Sequence, residues 1–177
     1  MQRYRKSKLN KLFGDLRNLF KSIDNYNCFV CSDTNPIGLN LDIQHTDNQT
    51  YAVFILSNLY SGFPSVIHGG IQATIIDEIG WWTMFNQIKR LGFTKSLSVE
   101  YLSKIETEKE LRVVGKVVNN TAKDLINVEV EILSNDTSAK TRGVVEYKLL
   151  SDNAIKRYFG LEFSEKFKGI MSNDQTV

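Results

Sequence analysis

The chain has 177 residues, enough for one domain around one core, and its 42% apolar and 24% charged residues are ordinary for a soluble globular protein. A net charge of +2 gives no case for nucleic acid as a partner, and two cysteines are too few for a disulfide framework. No apolar run reaches the length of a signal peptide or a membrane span, so the expectation is a cytoplasmic protein with no integral membrane segment.

Residues 1–27 read as a basic amphipathic N-terminal helix. Leu9, Leu12, Phe13, Leu16, Leu19, Phe20 and Ile23 recur at spacings of three and four, which makes one apolar stripe. Through residue 25, seven basic side chains (Arg3, Arg5, Lys6, Lys8, Lys11, Arg17, Lys21) stand against Asp15 and Asp24, a local +5; the whole chain's +2 leaves −3 for the rest. The commoner fate of such a helix is packing on the body of the protein. The alternative is docking on a membrane or a partner.

The next stretch, "NCFVCSDTNPIGLNLDIQ", carries Cys28 and Cys31. Zinc needs about four ligands. No second cysteine pair exists and only His45 and His68 remain, so the expectation is no metal and a structural thiol pair in a turn. From Gly38 the period changes. Leu39, Leu41 and Ile43 alternate with polar neighbours and predict a strand, and "YAVFILSNLY" predicts another with Val53 and Ile55 inside and Leu56 as a further candidate. Gly62 and Pro64 break the pattern. A helix apolar on most faces follows from about Gly69 to Leu91, stopped by Gly92.

Four strands come next: "TKSLSVEYLSKI", "ELRVVGKVV", "LINVEVEILS" and "AKTRGVVEYKLL". A loop is expected over 119–124 and a turn over 135–138. Residues 152–177 form a partly helical C-terminal tail with Ile155, Tyr158, Phe159, Phe163 and Phe167. Strands joined by hairpins imply an antiparallel sheet, and a helix apolar on most faces must be wrapped by it. The fold class is therefore α+β: an antiparallel β-sheet around one long central helix, with an extra N-terminal helix.

The opening of the central helix, "HGGIQATIIDEIGWW", carries the chemistry. Gly69 and Gly70 stand where backbone N–H groups are unpaired and the helix dipole is positive. Glycine admits close approach of a ligand, so these amides suit an oxyanion. His68 would orient the turn by hydrogen bonding or simply cap the helix. Asp77 shares a face with Gly70, Thr74 and Trp81, while Ile71, Ile75, Ile79 and Trp82 form a neighbouring stripe expected to meet the sheet. A desolvated carboxylate at Asp77 could serve as general base or nucleophile, or else pair with a Lys or Arg. Glu78 is rotated about 100° and faces elsewhere.

Taken together, "CFVC-x-x-x-NPIGL", "P-x-x-x-HGGI-x-x-T-x-x-DE-x-GWW" and "SVEYLSKI" resemble the hotdog-fold acyl-CoA thioesterases, nearest to the phenylacetate-pathway type of the 4-hydroxybenzoyl-CoA thioesterase superfamily. The resemblance covers about Cys28 to Leu150, within a hotdog domain spanning 28–151. It departs at Ser32, where the family has glycine after the second cysteine, and at Ser61 and Gly62, where an amide side chain is common.

The resemblance implies hydrolysis of an acyl-CoA thioester without a cofactor. Asp77, Gly69, His68 and Thr94 would be catalytic, and Gly70, Thr74 and Trp81 would bind substrate. Gly69 and Asp77 lie roughly 12 Å apart along one helix, too far to touch one thioester. A homodimer, or a dimer of dimers, removes the difficulty by pairing Gly69 and His68 of one chain with Asp77 and Thr94 of another. Arg90, Lys95, Lys104 and Arg142 are candidates for the coenzyme's phosphates. The competing readings are a non-catalytic acyl-CoA or lipid-binding hotdog protein and a hotdog dehydratase.

Overall fold

The computed structural model describes residues 2–135 and 137–175. Helix α1 spans Gln2–Lys21. Its Leu12, Phe13, Leu16, Leu19 and Phe20 are buried in the same core as the rest of the molecule, which explains the three-and-four spacing. The side chains of Arg3, Arg5 and Lys6 lie outside the described residues. Arg17 donates to the Ile43 carbonyl at 2.7 Å and lies 5.3 Å from the Trp82 ring.

Short strand β1 (Gln44–His45) pairs with β2 (Thr50–Ile55), and a small hairpin follows from β3 (Ser61–Phe63) and β4 (Val66–Ile67). Helix α2 is Gly69–Ile88. Strands β5 (Gly92–Tyr101), β6 (Glu110–Ala122), β7 (Leu125–Ser134) and β8 (Ala139–Leu149) come next. Helices α3 (Asp152–Phe159) and α4 (Leu161–Gln175) end the chain.

The main sheet is antiparallel, in the order β1-β2-β6-β7-β8-β5, and it curls around α2 as expected for a hotdog fold. Close approach of helix and sheet depends on Gly80 of α2, which faces the Tyr147 hydroxyl, and on two glycines of the sheet. A Cβ at Gly115 would collide with the Thr83 hydroxyl, and one at Gly143 with Ile76. The face of α2 turned away from the sheet is covered by α1 and α4. Phe20 lies 5.6 Å from the Trp81 ring and 5.8 Å from Phe163, and Phe85 lies 6.4 Å from Phe167. Trp82 thus meets α1, through Phe13 and Phe20, as well as His45 at the β1 edge of the sheet.

Several expected elements differ from those observed. The alternation of Leu39, Leu41 and Ile43 is real, since all three are buried, but its backbone partner is the cysteine loop. Leu39 and Leu41 donate to the Phe29 and Val30 carbonyls, each at 2.8 Å. In β2 the phase is one residue off. Ala52, Phe54 and Leu56 point in, whereas Val53 and Ile55 are 48% and 59% exposed. A one-residue slip exchanges the faces of a strand, and pairing with β6 fixes the register here.

Helix α2 ends three residues before Leu91. Lys89 takes the left-handed cap at φ 58, its N–H donating to the Phe85 carbonyl. Leu91 is then buried, and its carbonyl accepts from Leu150 at 2.8 Å, so Gly92 opens a strand instead of closing a helix. The expected loop over 119–124 is mostly strand, because β6 runs to Ala122 and turns at Lys123–Asp124. Asp136, in the expected turn over 135–138, lies outside the described residues. No described helix is long and apolar enough to cross a membrane.

Candidate active site

His68 is the N-cap of α2. Its Nδ1 accepts the Gly70 N–H at 2.9 Å, which puts the ring proton on Nε2. Its carbonyl accepts from Ile71 and Gln72, and its own N–H donates to Tyr60. The cap leaves the two glycines unequal. Gly70 N–H is occupied by the histidine, whereas Gly69 N–H meets no acceptor among the described residues. Of the two amides, Gly69 N–H is the one left to meet a ligand at this helix end. The Gly69 carbonyl is held by the Tyr101 hydroxyl at 2.9 Å, and a Cβ at Gly69 would sit only 3.2 Å from that tyrosine. Tyr101 stands in "SVEYLSKI", but nothing in the linear sequence ties it to the helix end.

Two turns on, Asp77 is half-buried and Thr94 Oγ1 donates to its Oδ1 at 2.7 Å. Burial raises the Asp77 carboxyl above the usual carboxylate range, and the Thr94 hydrogen bond opposes that rise. Among the described residues no lysine or arginine contributes to its electrostatics, so the expected salt-bridge alternative is not what holds it. The buried Tyr147 hydroxyl donates to the Asp77 carbonyl at 2.7 Å and fixes this part of α2. One carboxylate oxygen is thus positioned and the other is left for a water or a carbonyl carbon.

Both residues lie beside β5, the open edge of the sheet. Thr94 is exposed there, and Phe93, Leu97 and Tyr101 are 43%, 37% and 52% exposed. Thr74 donates to the Gly70 carbonyl at 2.8 Å, and the Trp81 indole to the Gly92 carbonyl at 2.9 Å. Thr74 thus reinforces the helix opening. Trp81 instead borders a cavity of about 220 Å³, together with Cys28, Glu78, Phe93 and Phe159. Within one chain the structure joins His68 to Gly70 and Asp77 to Thr94. It does not join the first pair to the second, because α2 itself holds them roughly 12 Å apart.

A larger cleft of about 540 Å³ is lined by Lys104, Lys109 and Lys140, with Ser103 and Ile105. It belongs to the Gly69 end of the molecule, since Ile67 donates to Ile105 and Val66 bridges to Glu106. Lys104 pairs with Glu106 at 2.9 Å. The other basic candidates are placed elsewhere. Lys95 pairs with Glu146 at 2.7 Å, Arg142 with Glu131 at 2.8 Å, and Arg90 donates to the Leu150 carbonyl at 3.1 Å. Lys109 shares the β5–β6 connection with Lys104, and only Lys140, at the start of β8, is brought to them by the fold.

Comparison with known proteins agrees with this architecture. Residues 65–148 match the family model described as the thioesterase superfamily. A search of curated proteins finds no significant match. Among solved structures, a hypothetical thioesterase from Streptococcus pneumoniae with coenzyme A is similar at 18% identity and a TM-score of 0.58, covering 63% of this chain and 90% of that one. Zebrafish thioesterase superfamily member 2 is similar at 14% identity and a TM-score of 0.62, covering 81% and 98%. A Streptococcus mutans protein bound to acetyl-CoA is similar at 16% identity and a TM-score of 0.56, covering 63% and 90%. The wrapped antiparallel sheet and the likeness to these structures make the fold a hotdog fold, and residues 65–148 are similar to the thioesterase superfamily model.

Proposed function

We propose that the protein hydrolyses an acyl-CoA thioester to a carboxylic acid and free coenzyme A, at a site shared by two copies of the chain. The observation that carries this reading is the half-buried Asp77, unpaired with any cation among the described residues and held by Thr94 on the open edge of the sheet. In one route, Asp77 takes a proton from a water positioned with the help of Thr94. The hydroxide adds to the thioester carbon, and the oxyanion accepts the Gly69 N–H of the second copy. Collapse expels the coenzyme thiolate, which recovers the proton. In the other route, Asp77 adds to the carbonyl directly and water cleaves the resulting anhydride.

A single chain cannot perform either route, since its own Gly69 and Asp77 are too far apart. The apolar edge strand β5 supports pairing. Unpaired N–H and C=O groups beside exposed Phe93, Leu97 and Tyr101 suit contact with a second copy, as a homodimer or a dimer of dimers. The coenzyme A and acetyl-CoA of the two streptococcal proteins support the same substrate class. The cleft at the Gly69 end carries Lys109 and Lys140 beside the Lys104–Glu106 pair and Glu110, a lysine excess toward which the coenzyme's phosphates could turn. The motifs "CFVC" and "HGGI" favour the phenylacetate-pathway type within the superfamily.

Release of free thiol from a panel of acyl-CoAs, with the oligomeric state followed by light scattering, tests the proposal. Turnover by a dimer or tetramer is expected. Turnover by a monomer would overturn the shared site. Acyl-CoA binding without thiol release across the panel would identify a non-catalytic binding protein instead.

A further inference from the structure

Ligand counting in the sequence sets a metal aside because the two cysteines lack companions. The fold supplies a third donor from a distant position. Cys28 Sγ, Cys31 Sγ and a Glu78 carboxylate oxygen all lie within 4.8 Å of one another. We propose that Cys28, Cys31 and Glu78 form a zinc site, with its fourth position open to the apolar cavity beside them.

The distances fit a tetrahedral ion. With Zn–S near 2.3 Å and Zn–O near 2.0 Å, a sulfur and an oxygen ligand stand roughly 3.5 Å apart. Cys28 Sγ to Glu78 Oε2 is 3.5 Å. Two thiolates and one carboxylate are a donor set that Zn²⁺ accepts. Each donor also has outer contacts that orient it. The Trp82 indole donates to Glu78 Oε1 at 2.8 Å, which leaves Oε2 turned toward the sulfurs. The backbone N–H groups of Val30 and Cys31 both point at Cys28 Sγ at 3.4 Å, an arrangement that favours sulfur as an anion. The Tyr26 hydroxyl lies 3.7 Å from Cys31 Sγ.

The fourth position follows from the walls. Tyr26, Cys28 and Glu78 border the cavity of about 220 Å³, whose remaining lining is largely aromatic. No fourth histidine, cysteine or carboxylate joins the three among the described residues, so water or a small thiol or carboxylate completes the ion's shell. Loading displaces the two thiol protons to solvent and cross-links the loop at 28–31 to the middle of α2. The site uses none of the residues assigned to thioester hydrolysis, and its test does not depend on that activity.

The test is anaerobic titration of the full chain, reduced and freed of metal, with Co²⁺ and then Zn²⁺. The expected result is one ion per chain, with thiolate-to-cobalt charge-transfer absorption that zinc abolishes. Glu78→Gln, checked as folded by circular dichroism, should weaken binding at least about tenfold. The double variant Cys28→Ser, Cys31→Ser should bind no cobalt. Should that variant fail to fold, the wild-type spectrum and Glu78→Gln still decide the matter. Absence of charge-transfer absorption in the reduced wild type would overturn the site. So would cobalt binding by Glu78→Gln as tight as that of the wild type.

Discussion

Asp77 and Glu78 are adjacent residues on one helix, both half-buried, and they face different worlds. Asp77 looks toward the open edge of the sheet and meets one hydroxyl, that of Thr94. Glu78, about 100° around the helix, looks under α1, where it meets the Trp82 indole and the Cys28 thiol. The first has an oxygen left over and an exposed neighbour strand. The second has both oxygens engaged, with aromatic rings close by. The contrast shows how one turn of a buried helix can carry two unrelated polar sites. A single step changes which layer of the protein a side chain meets. It also explains how so apolar a segment tolerates two carboxylates, since each is met by donors from a different element.

The sharpest way to break this contrast is to neutralise each carboxylate in turn. Asp77→Asn keeps size and polarity but can neither take a proton nor attack a carbon. Steady-state kinetics should show kcat reduced by about 10²–10⁴-fold with acyl-CoA binding retained. Glu78→Gln should leave kcat near the wild-type value. Equal losses from the two variants would erase the distinction.

The second way acts on the cover over Glu78. Phe20 is buried against Tyr26, Trp81, Trp82 and Phe163. Phe20→Ala should cost about 3–5 kcal/mol in urea unfolding, the usual loss for a buried aromatic. The Asp77–Thr94 pair lies on the other side, so the folded fraction should keep its specific activity. Loss of activity in protein that remains folded would mean that the two sides are coupled.

Acid attacks the same cover from another direction. His45 is stacked on Phe13 of α1 at 3.4 Å, and its Nε2 is buried with no hydrogen-bond partner among the described residues. Burial first, then Arg17 and Lys89, press its pKa down to about 3. A depressed value means that the unfolded chain binds the proton first. Stability is therefore full above the ordinary histidine range and is lost as pH falls from about 6.5 toward 3, at up to about 1.4 kcal/mol per pH unit. Thermal melts of wild type and His45→Gln across that window should diverge at the alkaline end and converge toward acid. Parallel curves would show that His45 does not set the slope.

The smallest effect belongs to Thr94. Thr94→Ala removes one hydrogen bond to Asp77 and should lower kcat by about tenfold. Combined with Asp77→Asn it should add little if, as proposed, both residues act on one water. Full additivity would separate their roles.

The sequence by itself determined the local elements whose signal is periodic. The stripe from Leu9 to Phe20 specified an amphipathic helix, since three-and-four spacing puts those residues on one side, and the fold packs that side into the core. The alternation of Ile126, Val128, Val130 and Ile132 specified which face of β7 is inward, and all four are buried. The Gly-Gly start and the Asp77 position were also legible, because helix geometry relates them without reference to any other element. Only the tertiary structure decided what each face meets. Val53 and Ile55 face out because pairing with β6 chooses between two phases that the run "YAVFIL" permits equally. Leu39 and Leu41 bond to the cysteine loop because that loop, rather than a strand, reaches their edge. Tyr101 reaches Gly69, and Cys28 reaches Glu78, across 32 and 50 residues of chain. Such meetings depend on how the sheet closes around α2, and no local spacing encodes them, so the donor that completes the cysteine cluster became visible only once the chain was folded.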